Sequence, residues 1–341
     1  MALYSRQKHV SSLTFDTIFL GGGTPSFVPY MFICRILDAA LGMFRFRPGE
    51  CLEISMECNP DSVSQEMVEA VMDRGVNRIS LGVQAMDERD LELLGRVHGR
   101  KEVYRAVSGI RKAGIKNLGM DVIFAIPGQG RDALVSCLEE VISFGPEHLS
   151  CYELTLEKGT ELEQAVASGT LSFPDEETRL DLTMALEALL EENGYRQYEI
   201  SNFARPGFEC RHNTGYWTGA EYLGLGCSAC SFLEGRRTRN HTDLHAYLSS
   251  LGEGMLPVSE VEELGQEARF REAFVMALRM NRGVLLHEFS EIYGINPLDY
   301  YGELLEYMEE NGLIFFSHDK KALALTPRGR YISNHVLSHF V

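Results

Sequence analysis

Apolar and β-branched residues recur in short runs between residues 15 and 155, and longer segments with helical periodicity separate these runs. Short strands that alternate with helices predict βαβ units and a parallel sheet. The spacing favours a barrel-like (β/α) layout and leaves an open doubly wound sheet as the alternative. The pattern predicts strands at Asp16–Leu20, Leu52–Met56, Arg78–Val83, Gly119–Phe124 and His148–Tyr152. It predicts helices at Pro29–Phe44, Ser64–Arg74, Asp87–Gly95, Lys101–Lys112, Asp132–Phe144 and Pro174–Asn193.

Each of these predicted strands ends in glycine or in a polar residue. These strand ends are Gly21–Thr24, Glu57, Gln84, Asp121 and Glu153–Thr155. In (β/α) barrels the carboxyl ends of the strands build the ligand site. Each residue alone is also explained by a hydrogen-bonded strand end, because an unpaired buried carboxylate is costly. Their recurrence in successive units predicts a shared pocket.

Three glycines, Gly21 to Gly23, follow the first predicted strand, and Thr24 and Pro25 suit the start of a helix. Glycine lets the backbone approach a ligand closely and leaves N–H groups free to bind a carboxylate or a phosphate. A tight turn without a ligand is the alternative for this segment taken alone.

The segment from Tyr198 to Trp217 mixes aromatic, histidine and asparagine residues without a period and contains the single tryptophan. Irregular segments of this composition often serve a binding site. His212 in this segment is a candidate metal or heme ligand, since neutral imidazole is a common ligand. A hydrogen-bonded structural histidine is the alternative. The glycine-rich stretch from Tyr222 to Phe232 then predicts a buried strand.

The chain changes character from about Gln266. Three helical patterns precede a predicted hairpin, Leu313–Phe316 with Ala322–Leu325, and this order is the outline of a winged helix. Many winged helices bind DNA, but residues 266–341 contain 8 Lys and Arg against 10 Asp and Glu. A lid that faces a protein or a ligand fits this balance better than DNA binding.

Composition narrows the possible partners. The 341 residues carry a formal net charge of −17, which argues against sequence-independent binding to nucleic acid. No apolar run approaches the roughly 20 residues of a membrane span, and the N-terminus has no signal-peptide core, so we expect a cytoplasmic protein. The eight cysteines are scattered, and most are expected to be buried thiols. Cys227 and Cys230 form a lone CxxC, which is a weak metal or redox signal.

Several longer strings form a specific set. In the first half they are IFLGGGTPS from Ile18, ECNP from Glu57, RISLGVQ from Arg78, LGRVH from Leu94 and MDVIFAIPGQ from Met120. In the second half they are YEISNFARPGFECRHNTGYW from Tyr198, YLGLGCSACSF from Tyr222 and LTPRGRYISN from Leu325. With these strings the chain resembles radical S-adenosylmethionine (SAM) proteins of the oxygen-independent coproporphyrinogen III oxidase type. The HNxxYW string makes it most similar to the heme-chaperone branch of that family.

The resemblance implies an α/β fold: a partial (β/α)6 TIM-like barrel that lacks its first strand, with a small C-terminal winged-helix-like domain. It implies a radical SAM barrel with its extension at residues 1–235, a connection at 236–265 and a C-terminal domain at 266–341. It carries SAM contacts over to Gly22, Gly23, Thr24, Glu57, Gln84, Arg96 and Asp121, and with less support to Thr155 and Cys230. His212 is the candidate heme ligand.

One departure concerns the 4Fe–4S cluster. The family binds it through CxxxCxxC before the glycine turn, and SAM chelates the open iron. This sequence contains no CxxxCxxC. We therefore expect no cluster ligands and no reductive SAM cleavage in this chain, through either an N-terminal truncation or a loss of the chemistry.

Three functions follow from the resemblance. The first is a heme chaperone that binds heme and transfers it to an apo-hemoprotein. The second is oxidative decarboxylation of coproporphyrinogen III, which needs the cluster. The third is a truncated, inactive family member. The client protein and the oligomeric state stay open, with a homodimer as one alternative.

Overall fold

The computed structural model describes residues 1–47 and 52–341, and the chain forms two compact units. The sheet unit consists of Phe15–Gly42 and Phe46–Cys210. The C-terminal unit consists of Met1–Thr14, Met43–Arg45 and Arg211–Val341. The domain boundaries expected at residues 235 and 265 stay a prediction. No helix in the described ranges is long and apolar enough to span a bilayer.

The described ranges contain the following α-helices. In chain order they are α1 (Ala2–Ser5), α2 (Lys8–Ser12), α3 (Tyr30–Met43), α4 (Gln65–Met72), α5 (Glu88–Leu93), α6 (Arg100–Ala113), α7 (Arg131–Ser143), α8 (Glu161–Ala167), α9 (Glu176–Glu192), α10 (Arg211–Trp217), α11 (Leu244–Gly252), α12 (Gln266–Leu278), α13 (Leu286–Tyr293), α14 (Pro297–Glu310), α15 (Pro327–Tyr331) and α16 (Ser333–Ser338).

The strands form three sheets. In chain order they are β1 (Thr17–Leu20), β2 (Glu53–Cys58), β3 (Arg78–Gln84), β4 (Asn117–Phe124), β5 (His148–Glu153), β6 (Arg196–Gln197), β7 (Asn202–Ala204), β8 (Cys230–Leu233), β9 (Arg236–Asn240), β10 (Val258–Glu263), β11 (Val284–Leu285), β12 (Ile314–Phe316) and β13 (Ala322–Leu325). The sheet unit has the order β1-β2-β3-β4-β5-β7-β6. Its first five strands are parallel, and β7 and β6 are antiparallel additions.

The five parallel strands confirm the predicted βαβ units. One face of the sheet packs on the helices through residues such as Ile79, Leu81 and Val83, which are fully buried. Burial on both faces is the usual state of parallel strands, because crossover helices cover the sheet. The helices and strands predicted in the sheet unit agree with the observed ones to within a few residues. The pattern missed the short helix α8, which contains no buried residue.

Local signals explain where the helices begin and end. Helix α6 has Glu102 in its first turn, and this carboxylate accepts the Gly99 N–H at 3.0 Å. Gly114 ends the same helix at φ +108°, a left-handed conformation that strongly favours glycine. Helix α9 begins where Asp175 accepts the Thr178 N–H at 2.8 Å.

The C-terminal unit contains the predicted winged-helix elements. Helices α12, α13 and α14 precede the strands β12 and β13, which pair antiparallel, and β11 pairs with β13 on its other side. Its core is aromatic: Phe274 is fully buried and lies 4.6 Å from Tyr301 and 5.2 Å from Phe340 between ring centroids. Helices α15 and α16 follow this hairpin and were not predicted.

The predicted buried strand from Tyr222 to Phe232 is wrong over most of its length. Only its end belongs to β8, and Tyr222 forms an isolated bridge with Phe232. The glycines explain the difference, because Gly226 adopts φ +131° and interrupts any extended run. The arginine-rich segment that follows is strand β9, whose arginines lie opposite glutamates of β10, as in the pair Arg237 and Glu262.

Candidate functional site

The glycine turn after β1 lies against the side chain of Glu57 at the carboxyl end of β2. A Cβ atom on Gly21 would lie 2.8 Å from Glu57 Oε2 and 2.7 Å from a ring carbon of Phe19, so the contact needs glycine. Gly22 adopts φ +89°, and its N–H donates a hydrogen bond to the Glu57 carboxylate. Packing and a hydrogen bond therefore hold the Glu57 side chain against the glycine turn.

Thr24 differs from its predicted role as a helix cap. The turn continues as a short 3₁₀ helix, Pro25–Phe27, and the Thr24 side chain makes no cap hydrogen bond. Its hydroxyl instead accepts from Asn59 Nδ2 at 3.4 Å. Asn59 also donates its backbone N–H to Ser26 Oγ at 3.0 Å. These bonds tie the loop after β1 to the loop after β2.

Asp121 is the second carboxylate of the site. Ser80 Oγ donates to both of its oxygens, at 3.1 and 3.3 Å, and Ser150 adds a further hydrogen bond. Burial raises the pKa of Asp121. Burial, followed by the neighbouring charge of Asp121, also raises the pKa of Glu57, while the Gly22 N–H and the charge of Arg78 act in the opposite direction. Two buried carboxyl groups whose pKa values are both raised fit a cationic or hydrogen-bond-donating ligand.

Gln84 ends β3 in a strained conformation. It is a non-glycine residue at φ +68°, next to a break in the register between β3 and β4. A Cβ atom on Gly82 would lie 2.8 Å from Gln84 Nε2 and 3.2 Å from Asn59 Oδ1, so this amide folds back toward the loop after β2. Strain of this kind is concentrated at ligand sites, where it directs a side chain.

Arg96 lies in the loop after α5. Its N–H donates to Leu91 O at 2.9 Å, and the nearby His98 ring contacts Val83 O at 3.0 Å, which holds the loop beside the end of β3. Arg96 Nε is buried and has no hydrogen-bond partner among the described residues. A buried guanidinium nitrogen without an acceptor fits an anionic group of a ligand.

The structure thus groups the glycine turn, Glu57, Asp121 and Gln84 at the carboxyl edge of the sheet, with Arg96 beside the end of β3. Thr155 lies exposed in the loop that follows β5. Cys230 is exposed at the start of β8 in the C-terminal unit, and its Sγ contacts Ser228 O at 3.9 Å. The assignment of these residues to SAM stays a prediction.

Sequence reasoning missed the polar residues that line the same face of the sheet below the strand ends. In register order these include Ser55 on β2, Arg78 and Ser80 on β3, and His148 and Ser150 on β5. All five side chains are buried. The signal was present, because within each strand these residues are spaced two positions apart, on the face that carries Glu57 and Asp121.

His148 in this buried layer gives a pH prediction. Its Nε2 lies 2.8 Å from the Tyr198 hydroxyl, and burial, with the charge of Arg78 as a second cause, lowers its pKa well below 6.5. The folded state therefore keeps His148 neutral while the unfolded chain takes up a proton below about pH 6.5. Stability from this group is complete above that pH and is lost as the pH falls.

We expect the unfolding free energy of the wild type to fall relative to that of His148→Gln between pH 7 and pH 5, by up to about 1.4 kcal/mol per pH unit. Urea unfolding at several pH values measures this difference, which cancels the contributions of the carboxylates. The exposed His318→Gln is the control and should run parallel to the wild type. A constant difference between the wild type and His148→Gln would contradict the prediction.

His212 lies on helix α10 in the C-terminal unit. Its Nε2 is 3.0 Å from the Tyr216 hydroxyl, and the two rings meet edge to face at 4.9 Å. Tyr216 in turn meets Tyr222 at 4.8 Å. Arg279 stacks on the indole of Trp217 at 4.6 Å. An aromatic surface beside an imidazole suits a flat apolar ligand, and Nε2 ligation of a metal would displace the Tyr216 hydroxyl.

The cysteines do not fit a cluster. Five of the seven in the described ranges are buried, and Cys51 lies outside those ranges. Burial raises the pKa of Cys58 to about 12 and that of Cys137 to about 11, so these thiols stay protonated, whereas cluster ligation needs thiolates. Within the described part of the chain no three His, Cys, Asp or Glu side chains are grouped to hold a metal ion. No chemical step through a cluster is therefore derived for this chain.

Two family models match the sequence. The model of the radical SAM superfamily matches residues 7–141, and that of the HemN C-terminal domain matches residues 264–332. The first match covers the glycine turn, Glu57, Gln84 and Asp121. The second covers most of the winged-helix elements. The radical SAM superfamily implies SAM and a 4Fe–4S cluster as cofactors.

Curated relatives are similar over nearly the whole chain. The heme chaperone HemW of Lactococcus lactis is 33% identical over 325 residues, which cover 95% of this chain and 84% of the relative. The heme chaperone HemW of Bacillus subtilis is 32% identical over 325 residues, which cover 95% of this chain and 85% of the relative.

A solved structure has the same fold. Coproporphyrinogen III oxidase (HemN) of Escherichia coli, a radical SAM enzyme, superposes with a TM-score of 0.81 at 21% identity, over 96% of this chain and 78% of that chain. This likeness confirms the predicted fold class of a TIM-like α/β sheet with a small C-terminal domain. The curated relatives show that the chain belongs to the HemW family within the radical SAM superfamily.

Proposed function

We propose that this protein is a heme chaperone that binds heme and hands it to an apo-hemoprotein in the cytoplasm. The observation that carries the proposal is the similarity to curated HemW heme chaperones over 95% of the chain. The aromatic surface around His212 supports it, because a porphyrin needs a flat apolar contact and an axial ligand.

The pocket at the carboxyl edge of the sheet is proposed to hold SAM. The Gly22 and Gly23 backbone and the Glu57 carboxylate would hold the ammonium group, and Arg96, whose Nε has no protein acceptor in the described ranges, would take the carboxylate. Asp121 and Gln84 would accept and donate to the ribose, with Thr24 and Thr155 at the rim. SAM supplies a sulfonium nucleoside, and its reductive cleavage would need the cluster that these cysteines do not fit.

Decarboxylation of coproporphyrinogen III is the second candidate, favoured by the fold shared with HemN. That reaction depends on the cluster, so we expect no 5′-deoxyadenosine from anaerobically reconstituted protein of this sequence. Detection of 5′-deoxyadenosine would favour the enzyme over the chaperone.

Heme titration tests the proposed heme site. We expect the wild type to develop a Soret band on titration with hemin and His212→Ala to bind at least about tenfold more weakly, through loss of the axial ligand. Tyr216→Phe removes the hydrogen bond that occupies His212 Nε2 at 3.0 Å, so we expect it to bind heme about 2- to 10-fold more tightly.

His318→Ala serves as the control, because this histidine is exposed in the β12–β13 turn. An unchanged Soret band in His212→Ala would refute the ligand assignment while leaving heme binding in place. Absorbance spectra of a mixture with an apo-hemoprotein then measure transfer. A wild-type protein that binds no heme, or that never releases it to an acceptor, would refute the proposed function.

A further inference from the structure

Arg78 is a buried cation without a partner. It begins β3, its side chain is 2% exposed, and its Nε has no hydrogen-bond acceptor among residues 1–47 and 52–341. No carboxylate in those ranges lies within ion-pair distance of it. Burying a charge without a direct partner costs free energy, so we expect the Arg78 charge to serve other groups in the structure.

Strand register places Arg78 one row below Glu57 and two rows below Asp121 on the same face of the sheet. Ser80, two residues after Arg78 on the same face, lies opposite Glu57 on β2 and Gly119 on β4. Asp121 lies one step further along, where Ser80 Oγ donates to both of its oxygens. Glu57 and Ser80 are cross-strand partners, and their position along the sheet lies between that of Arg78 and that of Asp121.

Gly119 creates the space that the guanidinium occupies. A Cβ atom on Gly119 would lie 3.1 Å from Arg78 Nη2, 3.2 Å from Ser80 Oγ and 3.5 Å from His148 Nδ1. The Cβ position of Gly119 thus lies within 3.5 Å of Arg78 Nη2, Ser80 Oγ and His148 Nδ1. Because Gly119 pairs with Ser80, which pairs with Glu57, the guanidinium extends to the level of Glu57 in the sheet. A Cβ atom at residue 119 would crowd the guanidinium, which would have to shift by a few tenths of an ångström.

We propose that Arg78 is a positioning residue, a buried cation that keeps the Glu57 and Asp121 side chains ionised and oriented to bind SAM. This inference rests on the proposed SAM site. Burial raises the pKa of both carboxyl groups, and the charge of Arg78 acts in the opposite direction, after the Gly22 N–H on Glu57 and after Ser150 on Asp121. Without the Arg78 charge, the negative charges of Glu57 and Asp121 repel each other in a site shielded from water. One of the two carboxyl groups then binds a proton and no longer binds the cationic group of the ligand.

Two other titratable groups, His148 and Tyr198, are affected by the charge of Arg78, and each stays in one state at neutral pH. Burial, with the Arg78 charge as a second cause, lowers the pKa of His148 and keeps it neutral. Burial raises the pKa of Tyr198, which stays protonated at neutral pH. Glu199 accepts from the Ser201 N–H and from Asn202. The pH dependence between pH 5.5 and 7.5 therefore reports on Glu57 and Asp121.

Calorimetric titration with SAM at pH 5.5, 6.5 and 7.5 tests the inference on folded protein. We expect Arg78→Met to bind SAM about tenfold more weakly than the wild type at pH 5.5, with the difference narrowing toward pH 7.5. Arg78→Lys keeps the charge and should restore most of the affinity. A merely structural role would lower the affinity equally at every pH and would not be rescued by lysine.

Infrared spectra of the ligand-free protein give a readout that does not depend on SAM. The carboxylic C=O band that Glu57→Gln and Asp121→Asn remove should appear at higher pH in Arg78→Met than in the wild type. If Arg78→Met does not fold, Arg78→Gln, which removes the charge and keeps a polar side chain, takes its place in both measurements. An unshifted band together with parallel affinity profiles overturns the role of Arg78. A wild type that binds no SAM overturns the SAM site alone, because the infrared measurement still decides on Arg78.

Discussion

Replacing Glu57 with glutamine is expected to weaken SAM binding about 100-fold, or roughly 2.8 kcal/mol. Glutamine keeps the size of the side chain but removes the charge that would hold the ammonium group of SAM. Its amide oxygen can still accept the Gly22 N–H, which now donates to the carboxylate, so the charge is the main change. Calorimetric titration of the purified variant at pH 7.5 measures the loss.

The same substitution should leave the fold intact or stabilise it. The folded-state pKa of Glu57 is raised, so the unfolded chain releases this proton at a lower pH than the folded chain does. The group contributes stability at low pH and loses that contribution as the pH rises through its folded pKa. A neutral glutamine avoids this loss at pH 7.5. We therefore expect an unchanged or higher melting temperature alongside the weaker binding.

Glu153→Gln is the matched control. Glu153 also stands at the end of a parallel strand of the same sheet, but it is exposed and forms an ion pair with Arg179 at 2.5 Å. Its substitution should change SAM affinity by less than about twofold. Equal effects of the two substitutions, or a Glu57→Gln protein that melts far below the wild type, would remove Glu57 from the binding site.

The fold was predictable because the hydrophobic periodicity and the helix-ending glycines can be recognised from residues that are neighbours in sequence. The buried runs of β3 and β4 and the glycine ends of helices such as α6 need only neighbouring residues to be recognised. The stretch from Tyr222 to Phe232 failed for the same reason: it has the composition of a buried strand, but its backbone conformation depends on glycines and on contacts with distant residues. Helix α8, which buries nothing, gives no periodic signal.

The candidate site was predictable only at its rim. Glu57 and Asp121 stand out because a carboxylate that ends an apolar strand is unusual. Arg78 and His148 lie at the beginnings of strands, where a polar residue is ordinary, and only the register shows that they lie beneath the carboxylates. The contact between Gly21 and Glu57 joins segments that are 36 positions apart, so no local pattern contains it.

Phe274→Ala is expected to destabilise the C-terminal unit by about 3–5 kcal/mol. The ring is fully buried and lies 4.6 Å from Tyr301, 5.2 Å from Phe340 and 5.8 Å from Phe289 between centroids. Its removal leaves a cavity that rigid aromatic neighbours cannot close. A typical domain is stable by only about 5–15 kcal/mol, so this loss is a large fraction of the total.

The single tryptophan makes this prediction measurable in the intact chain. Trp217 belongs to the C-terminal unit, and Arg279, which caps the helix that carries Phe274, stacks on its indole at 4.6 Å. Tryptophan fluorescence during urea unfolding therefore follows this unit specifically, which matters because a chain of two units need not unfold in one step. Phe315→Ala is the control: its ring is 45% exposed on β12, and we expect a change below about 1 kcal/mol. Equal shifts of the two fluorescence midpoints would show that the aromatic cluster does not hold this unit together, and the stability would then have to come from the β11–β13–β12 sheet.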